Sequence, residues 1–299
     1  MLYLSDYFDL GCKGHANFDF VDVSLSSDTR LFIDPWLIEK ADDMWSRNAN
    51  AVLQSYMDCL FVAFRDRTDD RRSLLAHAKE QNATKLGYGN GYNGKGKTPT
   101  GLYESLRGLY DLVQKIPTIR KASDLKIFVK KFGEDNMSDL ITNILHLQLN
   151  EFTVDELTKW GIAPSSEMPF WTWDMISKQW TLVTRPSYTY NDKEILLVPK
   201  RVVRRNYLVC VHQYLYTVVI DRMRENGYDG WSKKDIWTNI PHTSDDWEYN
   251  FVLSKTYEDP YLLAKYHERI PQHYNRRYGS MSDESLDMTV YGKLFEELA

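Results

Sequence analysis

Cysteine is scarce in this chain: three in 299 residues, at positions 12, 59 and 210. They form no CxxC pair, which excludes a cysteine-based zinc module. Their odd number and wide spacing fit free thiols in a reducing compartment. Long apolar runs are also missing. No stretch approaches the roughly 18 uninterrupted apolar residues of a membrane-spanning helix. The most apolar one, Tyr207–Ile220, is interrupted by His212 and Gln213. The opening residues MLYLSDYFDLG lack the basic block and long apolar block of a signal peptide. A cytoplasmic protein with no membrane partner is therefore expected. Neither sign of charge dominates, because 37 Lys and Arg against 42 Asp and Glu leave a net charge of −5. Nucleic-acid binding would then need a local basic stripe rather than a whole basic face. With 15 glycines and 10 prolines the chain is neither collagen-like nor of low complexity.

What is present is a globular composition, 43% apolar and 26% charged, long enough for a sizeable core in one or two domains. Aromatic residues are abundant: 20 Tyr, 12 Phe and 9 Trp. Two readings fit them, a large core edged by wet-tipped tyrosines, or surfaces on which a partner or nucleobases stack.

Alternation in NFDFVDVS (17–24) and the run RLFID (30–34) predict two strands paired through LSSDT. Val52, Tyr56, Leu60 and Phe64 give helical spacing over 44–66, and a shorter helix is expected over 69–81. Thr98-Pro99 is a helix start, with Thr as N-cap and Pro at the first helical position, running to about 114. Further helices are expected over 122–132 and 137–151, a loop-rich stretch over 152–175, and strands over 179–184 and 194–198 joined by RPSYTYNDK. An apolar helix over 206–226 leads to short helices with aromatic anchors. The expected fold class is mixed α/β and helix-rich: a small central sheet flanked by helices, in a core of residues 1–227, followed by a helical, aromatic-rich portion at 228–299.

Several motifs bear on chemistry. Residues 91–98, GYNGKGKT, match the phosphate-loop pattern GxxxxGK[ST]. A true phosphate loop follows a buried strand, whereas the preceding HAKEQNATKL is polar, and Pro99 would damage the amide pattern of the helix start. Two milder readings remain: a phosphate cradle built by Gly94, Lys95, Gly96 and Lys97 at a helix N-terminus, or a glycine-rich connector. Asp34 ends a predicted strand, where a carboxylate suits metal or acid–base work, or else opens an Asp-Pro turn. Asp139, Asn143 and His146 fall at i, i+4 and i+7 of one helix and make a polar stripe on an otherwise apolar surface. Such a stripe demands partners if the helix is buried; capping or a solvated face would explain it otherwise. In VPKRVVRR, a helical turn would gather Lys200, Arg201, Arg204 and Arg205 into a cationic face for phosphates, or a solvated face paired with carboxylates. A PD-(D/E)xK-type nuclease needs an acidic residue two before its lysine, and here Val198 holds that place. Asp139 or Asp34 would have to supply the acid.

FIDPWLIE (33–40), KEQN (79–82), LGYGNGYNGKGKT (86–98), SDLITNIL (138–145) and ILLVPKRVV (195–203), in this order, resemble a widespread, poorly characterised family of bacterial proteins associated with mobile and defence-linked gene neighbourhoods. The resemblance spans roughly residues 30–205. It implies that Asp34, Glu80, the glycine loop, Asp139, Asn143 and Lys200 belong to one recurring, phosphate-handling set.

The leading expectation is a defence protein acting on phage or plasmid nucleic acid as a metal-dependent nuclease or processing component. Asp34 and Asp139 would hold Mg²⁺, Glu80 and Asn143 would assist, Lys200 would act on the attacked phosphate, and the loop lysines and Arg201, Arg204 and Arg205 would grip the backbone. The alternative is a non-catalytic subunit that binds nucleic acid or docks an effector ATPase or nuclease of a multi-gene defence system. A nucleotide sensor using the glycine loop is a third reading.

Overall fold

The computed structural model describes residues 1–88, 98–274 and 279–292. In chain order these form α1 (Leu4–Tyr7), β1 (Phe32–Ile33), α2 (Pro35–Lys40), α3 (Met44–Arg65), α4 (Asp70–Leu75), α5 (Pro99–Ser105), α6 (Leu109–Lys115), α7 (Ala122–Phe128), α8 (Glu134–Ile144) and α9 (His146–Lys159). Then come β2 (Ser166–Asp174), β3 (Gln179–Tyr190), β4 (Lys193–Ile195), β5 (Val203–Arg204) and α10 (Val211–Tyr214). A π-helical turn, Leu215–Val219, links α10 to α11 (Ile220–Glu225), followed by α12 (Lys233–Asn239), α13 (Trp247–Glu258), α14 (Leu262–Tyr274) and α15 (Asp283–Val290). The fold is mixed α/β: a small antiparallel sheet, β2-β3-β4, flanked by helices, with a helical C-terminal part. No helix among the described residues is long and apolar enough to cross a membrane.

The long helix α3 follows from its spacing. Val52, Tyr56, Leu60 and Phe64 are all buried, while Asp43 caps the N-terminus by accepting from Ser46 N. Thr98 caps α5 as its sequence predicts, accepting from Gly101 N, but the helix stops at Ser105 and α6 restarts at Leu109. The apolar cluster that contains Leu60 and Ile144 also takes in Val252, Tyr266 and Leu286 from the C-terminal portion.

Several expectations need correction. Residues 17–24 form no ladder: Asn17 closes a 3₁₀ turn (His15–Asn17), Asp19 is exposed, and only Phe18 and residues 20–24 are buried. Val21 N bonds Val198 O, Asp22 N bonds His15 Nε2 and Leu4 N bonds Val23 O, so the partner changes every residue or two. RLFID does not pair with residues 17–24 as expected but with β5: Phe32 pairs with Arg204 and Ile33 with Val203. The helix over 69–81 is only α4, and those over 122–132 and 137–151 become α7, α8 and α9. The stretch 152–175 is not loop-rich. Helix α9 runs on to Lys159, and β2 follows, with Trp173 packed edge-on against Tyr56 at 5.0 Å. The link RPSYTYNDK is largely strand. Only Asn191 and Asp192 turn, with φ of 49° and 60°, the left-handed pair a two-residue hairpin loop needs and Asn and Asp tolerate best.

This packing predicts a contrast along α3. Leu60 is fully buried, so Leu60→Ala should cost about 2–5 kcal/mol in denaturant unfolding. Val62, 45% exposed, should change stability by less than about 0.5 kcal/mol when truncated. Equal effects would contradict the assigned face.

Candidate functional site

Helix α8 is apolar through Met137, Leu140, Ile141 and Ile144, all buried. Its polar stripe does find partners, in the irregular segment that follows α4. Asn143 Nδ2 donates to Lys79 O and to Asp139 O, both at 2.7 Å. Asp139 Oδ1 accepts from Gln81 N at 3.4 Å. His146, at the start of α9, shares a 2.7 Å hydrogen bond between Nε2 and Glu194 Oε2, and its ring lies flat on Phe170 at 4.0 Å. Glu194 Oε1 accepts from Ser187 Oγ, which in turn accepts from Asn150 Nδ2. Thr172 Oγ1 donates to Ile144 O and accepts from Leu147 N, pinning β2 to the α8–α9 junction.

Segment 77–85, the α8–α9 junction, β2 and the β3–β4 turn thereby enclose a groove of about 510 Å³. Its walls carry Lys79, Glu80, Lys85, Asn143, His146, Lys193 and Glu194. The lysines make no ion pair with any described residue. Trp171, 40% exposed, stacks on His77 at 4.0 Å. Burial, with Lys79 nearby, holds the His77 pKa below its ordinary value. Of the residues singled out from sequence, Glu80 and Asn143 line this groove together, with His146 of the stripe. His77, Lys85, Trp171, Lys193 and Glu194 were missed. Alternation through FWTWD does not single out Trp171, because it stands two residues from the buried Trp173 and shares its face of β2. The lysines carry no signal either.

Asp34 is almost fully buried, and its carboxylate serves the backbone: Oδ1 accepts from Trp36 N at 2.9 Å, capping α2, and Oδ2 accepts from Leu208 N at 3.4 Å. Burial raises its pKa to about 6 against these hydrogen bonds and the charge of Arg204. Asp139 is pushed higher, to about 8, by burial first and then by the carboxylates of Asp135, Glu80 and Asp28. Its element touches that of Asp34 through the bond from Ile33 N to Ser138 Oγ, yet the two carboxylates have separate partners.

Lys200 is engaged elsewhere. Its Nζ donates to His15 O at 2.6 Å and to Asp283 Oδ1 at 2.7 Å. The cationic face expected of residues 200–205 does not form, because Lys200–Val202 is one 3₁₀ turn and Val203–Arg204 is strand. Successive side chains then diverge: Arg201 makes a two-pronged pair with Asp43 at 2.7 Å, Arg204 donates to Gly279 O, and Arg205 is exposed. Gly94, Lys95, Gly96 and Lys97 lie outside the described residues. Among the described residues no three His, Cys, Asp or Glu side chains are grouped so as to hold a metal ion.

A helix-dominated α/β scaffold with a polar, ring-lined groove is thus the class that fold and site define. The chain belongs to the family described as a domain of unknown function (DUF8370), which matches residues 10–210. That span contains every groove residue and ends before α10–α15. No curated protein and no solved structure matches the chain.

Asp139 gives a pH prediction. A carboxyl whose folded pKa is raised from 3.8 to about 8 favours the fold most below its unfolded pKa and loses that contribution as pH climbs to its folded value. Asp139→Asn, which cannot ionise, should therefore gain on wild type in Tm progressively between about pH 4 and about pH 8. A difference in Tm that does not change across that range would contradict the assigned environment.

Proposed function

We propose that this protein is a nucleic-acid-binding component of a multi-gene bacterial defence system directed at phage or plasmid DNA, and that the strand lies in the groove beside α8 and α9. One observation supports the binding reading above others: Lys79, Lys85 and Lys193, without acidic partners among the described residues, surround a groove that also offers the exposed ring of Trp171. Cations at the rim meet phosphates, and an exposed aromatic face accepts a base. The defence setting and its protein partners rest on the sequence resemblance.

Salt dependence tests this reading. Affinity for an oligonucleotide should fall steeply with salt, and Lys79→Ala, Lys85→Ala and Lys193→Ala should each lower the slope of log K against log salt by about one. A slope unchanged in all three variants would place the strand elsewhere.

A second reading, Mg²⁺-dependent cleavage, rests on the sequence resemblance. Burial and the carboxylates of Asp135, Glu80 and Asp28 raise the Asp139 pKa, although no three His, Cys, Asp or Glu side chains among the described residues are grouped so as to hold a metal ion. A bound cation would relieve the repulsion among these carboxylates. Asp139 would then be the metal-holding acid, with Asp34 kept at its capping task and Lys200 outside the chemistry. Cleavage of plasmid or RNA that is lost in EDTA and in Asp139→Ala is expected on this reading. Undiminished cleavage by Asp139→Ala would remove it.

A further inference from the structure

The floor of the groove has a definite hydrogen-bonding polarity. Asn143 Nδ2 is spent on two carbonyl oxygens, Lys79 O and Asp139 O. Those acceptors fix the amide's orientation, because the flipped form would set oxygen against oxygen. The polar atom that Asn143 has left is Oδ1, to which no described residue donates. His146 is fixed in the same way. Its Nε2 faces Glu194 Oε2 at 2.7 Å, and a carboxylate only accepts, so Nε2 carries the proton. In the neutral ring, Nδ1 is then an acceptor, and no described residue donates to it. Both residues line the groove, 4% and 5% exposed.

We infer that the groove takes a single unpaired nucleotide whose base bears an exocyclic amine, as adenine, cytosine and guanine do and thymine and uracil do not. This rests on the nucleic-acid reading above and narrows it. Two acceptors on a buried floor satisfy the two hydrogens of an amine, whereas a carbonyl oxygen in the same place would leave both sides without a donor. A paired base has its amine committed to its complement and its faces to its neighbours in the stack. Insertion into a cavity of about 510 Å³ therefore calls for a single strand, an overhang or a flipped base. Trp171 stacks the base or its neighbour, and Lys79, Lys85 and Lys193 hold the phosphates. Glu194 acts as a positioning residue through His146.

The test is fluorescence anisotropy with the full chain at about pH 8. The probes are labelled oligo-dA, oligo-dC and oligo-dT of about 12 nucleotides and a blunt duplex. Wild type should bind dA and dC about tenfold more tightly than dT, and the duplex more weakly than either. Trp171→Ala, a change at an exposed position, should weaken dA and dC about tenfold. Glu194→Gln should reduce the preference for dA and dC over dT, because an amide can donate to Nε2 and move the ring proton to Nδ1. A purely structural Glu194 would instead weaken all strands alike. Duplex bound as tightly as single strands, or no preference among dA, dC and dT, would overturn this inference while leaving the nucleic-acid reading in place. Failure to bind any of the four would overturn both.

Discussion

Segment 77–88 has almost no regular secondary structure, so its backbone groups must be satisfied one at a time, and α8 and its neighbours do this. Asn143 takes Lys79 O, Asp139 takes Gln81 N, Leu196 N takes Ala83 O, and Thr29 bonds both Lys85 O and Gly87 N. Without these ties the groove would lack one wall, and Lys79 and Lys85 would have no defined place. Keeping Asp139 there is costly, since it is buried beside other carboxylates and its ionised form is disfavoured. Gly87 answers to the same crowding. It sits at φ 149°, a conformation that residues with a side chain rarely adopt, and a Cβ there would lie 3.0 Å from Asp135 Oδ1, so that carboxylate would have to shift.

Much of the scaffold was legible because its pattern is local. The spacing of α3, the Thr98-Pro99 start of α5 and the stripe on α8 depend on neighbours within one or two turns. Elements whose pairing is set by distant residues were not. Residues 17–24 alternate like a strand, but a buried Asp22, which accepts from Ser5 N, Ser5 Oγ and Tyr291 Oη, breaks the ladder into single contacts. The basic run 200–205 reads as one face only if it is helical, and pairing of Val203 and Arg204 with β1 prevents that. At the site, Asn143 and Glu80 stood out as polar residues in apolar or unusual surroundings. Lys193 and Glu194 did not, because an ordinary hairpin turn brings them to the groove from more than a hundred residues beyond His77.

Two classes of basic residue separate in this molecule. Lys200 and Arg201 are neutralised by Asp283 and Asp43, and Arg204 holds the backbone of the segment leading into α15. Lys200 and Arg204 thereby fasten the C-terminal part to the domain that the family shares, with His15, buried against Asp287, as a further tie, whereas the Arg201–Asp43 pair lies within that domain. Lys79, Lys85 and Lys193 remain without acidic partners among the described residues and surround a groove floored by buried polar atoms. Packing has used up the first set. The proposal that the groove meets nucleic acid rests on the second.

The most direct measurement is photocrosslinking. A single-stranded oligonucleotide carrying a photoreactive base would be irradiated with the full chain, and the attached peptides mapped by mass spectrometry. Crosslinks in 77–85, 169–171 and 190–195 are the predicted result. Crosslinks confined to 200–205 and 279–289, or none at all, would contradict the placement of the strand in the groove.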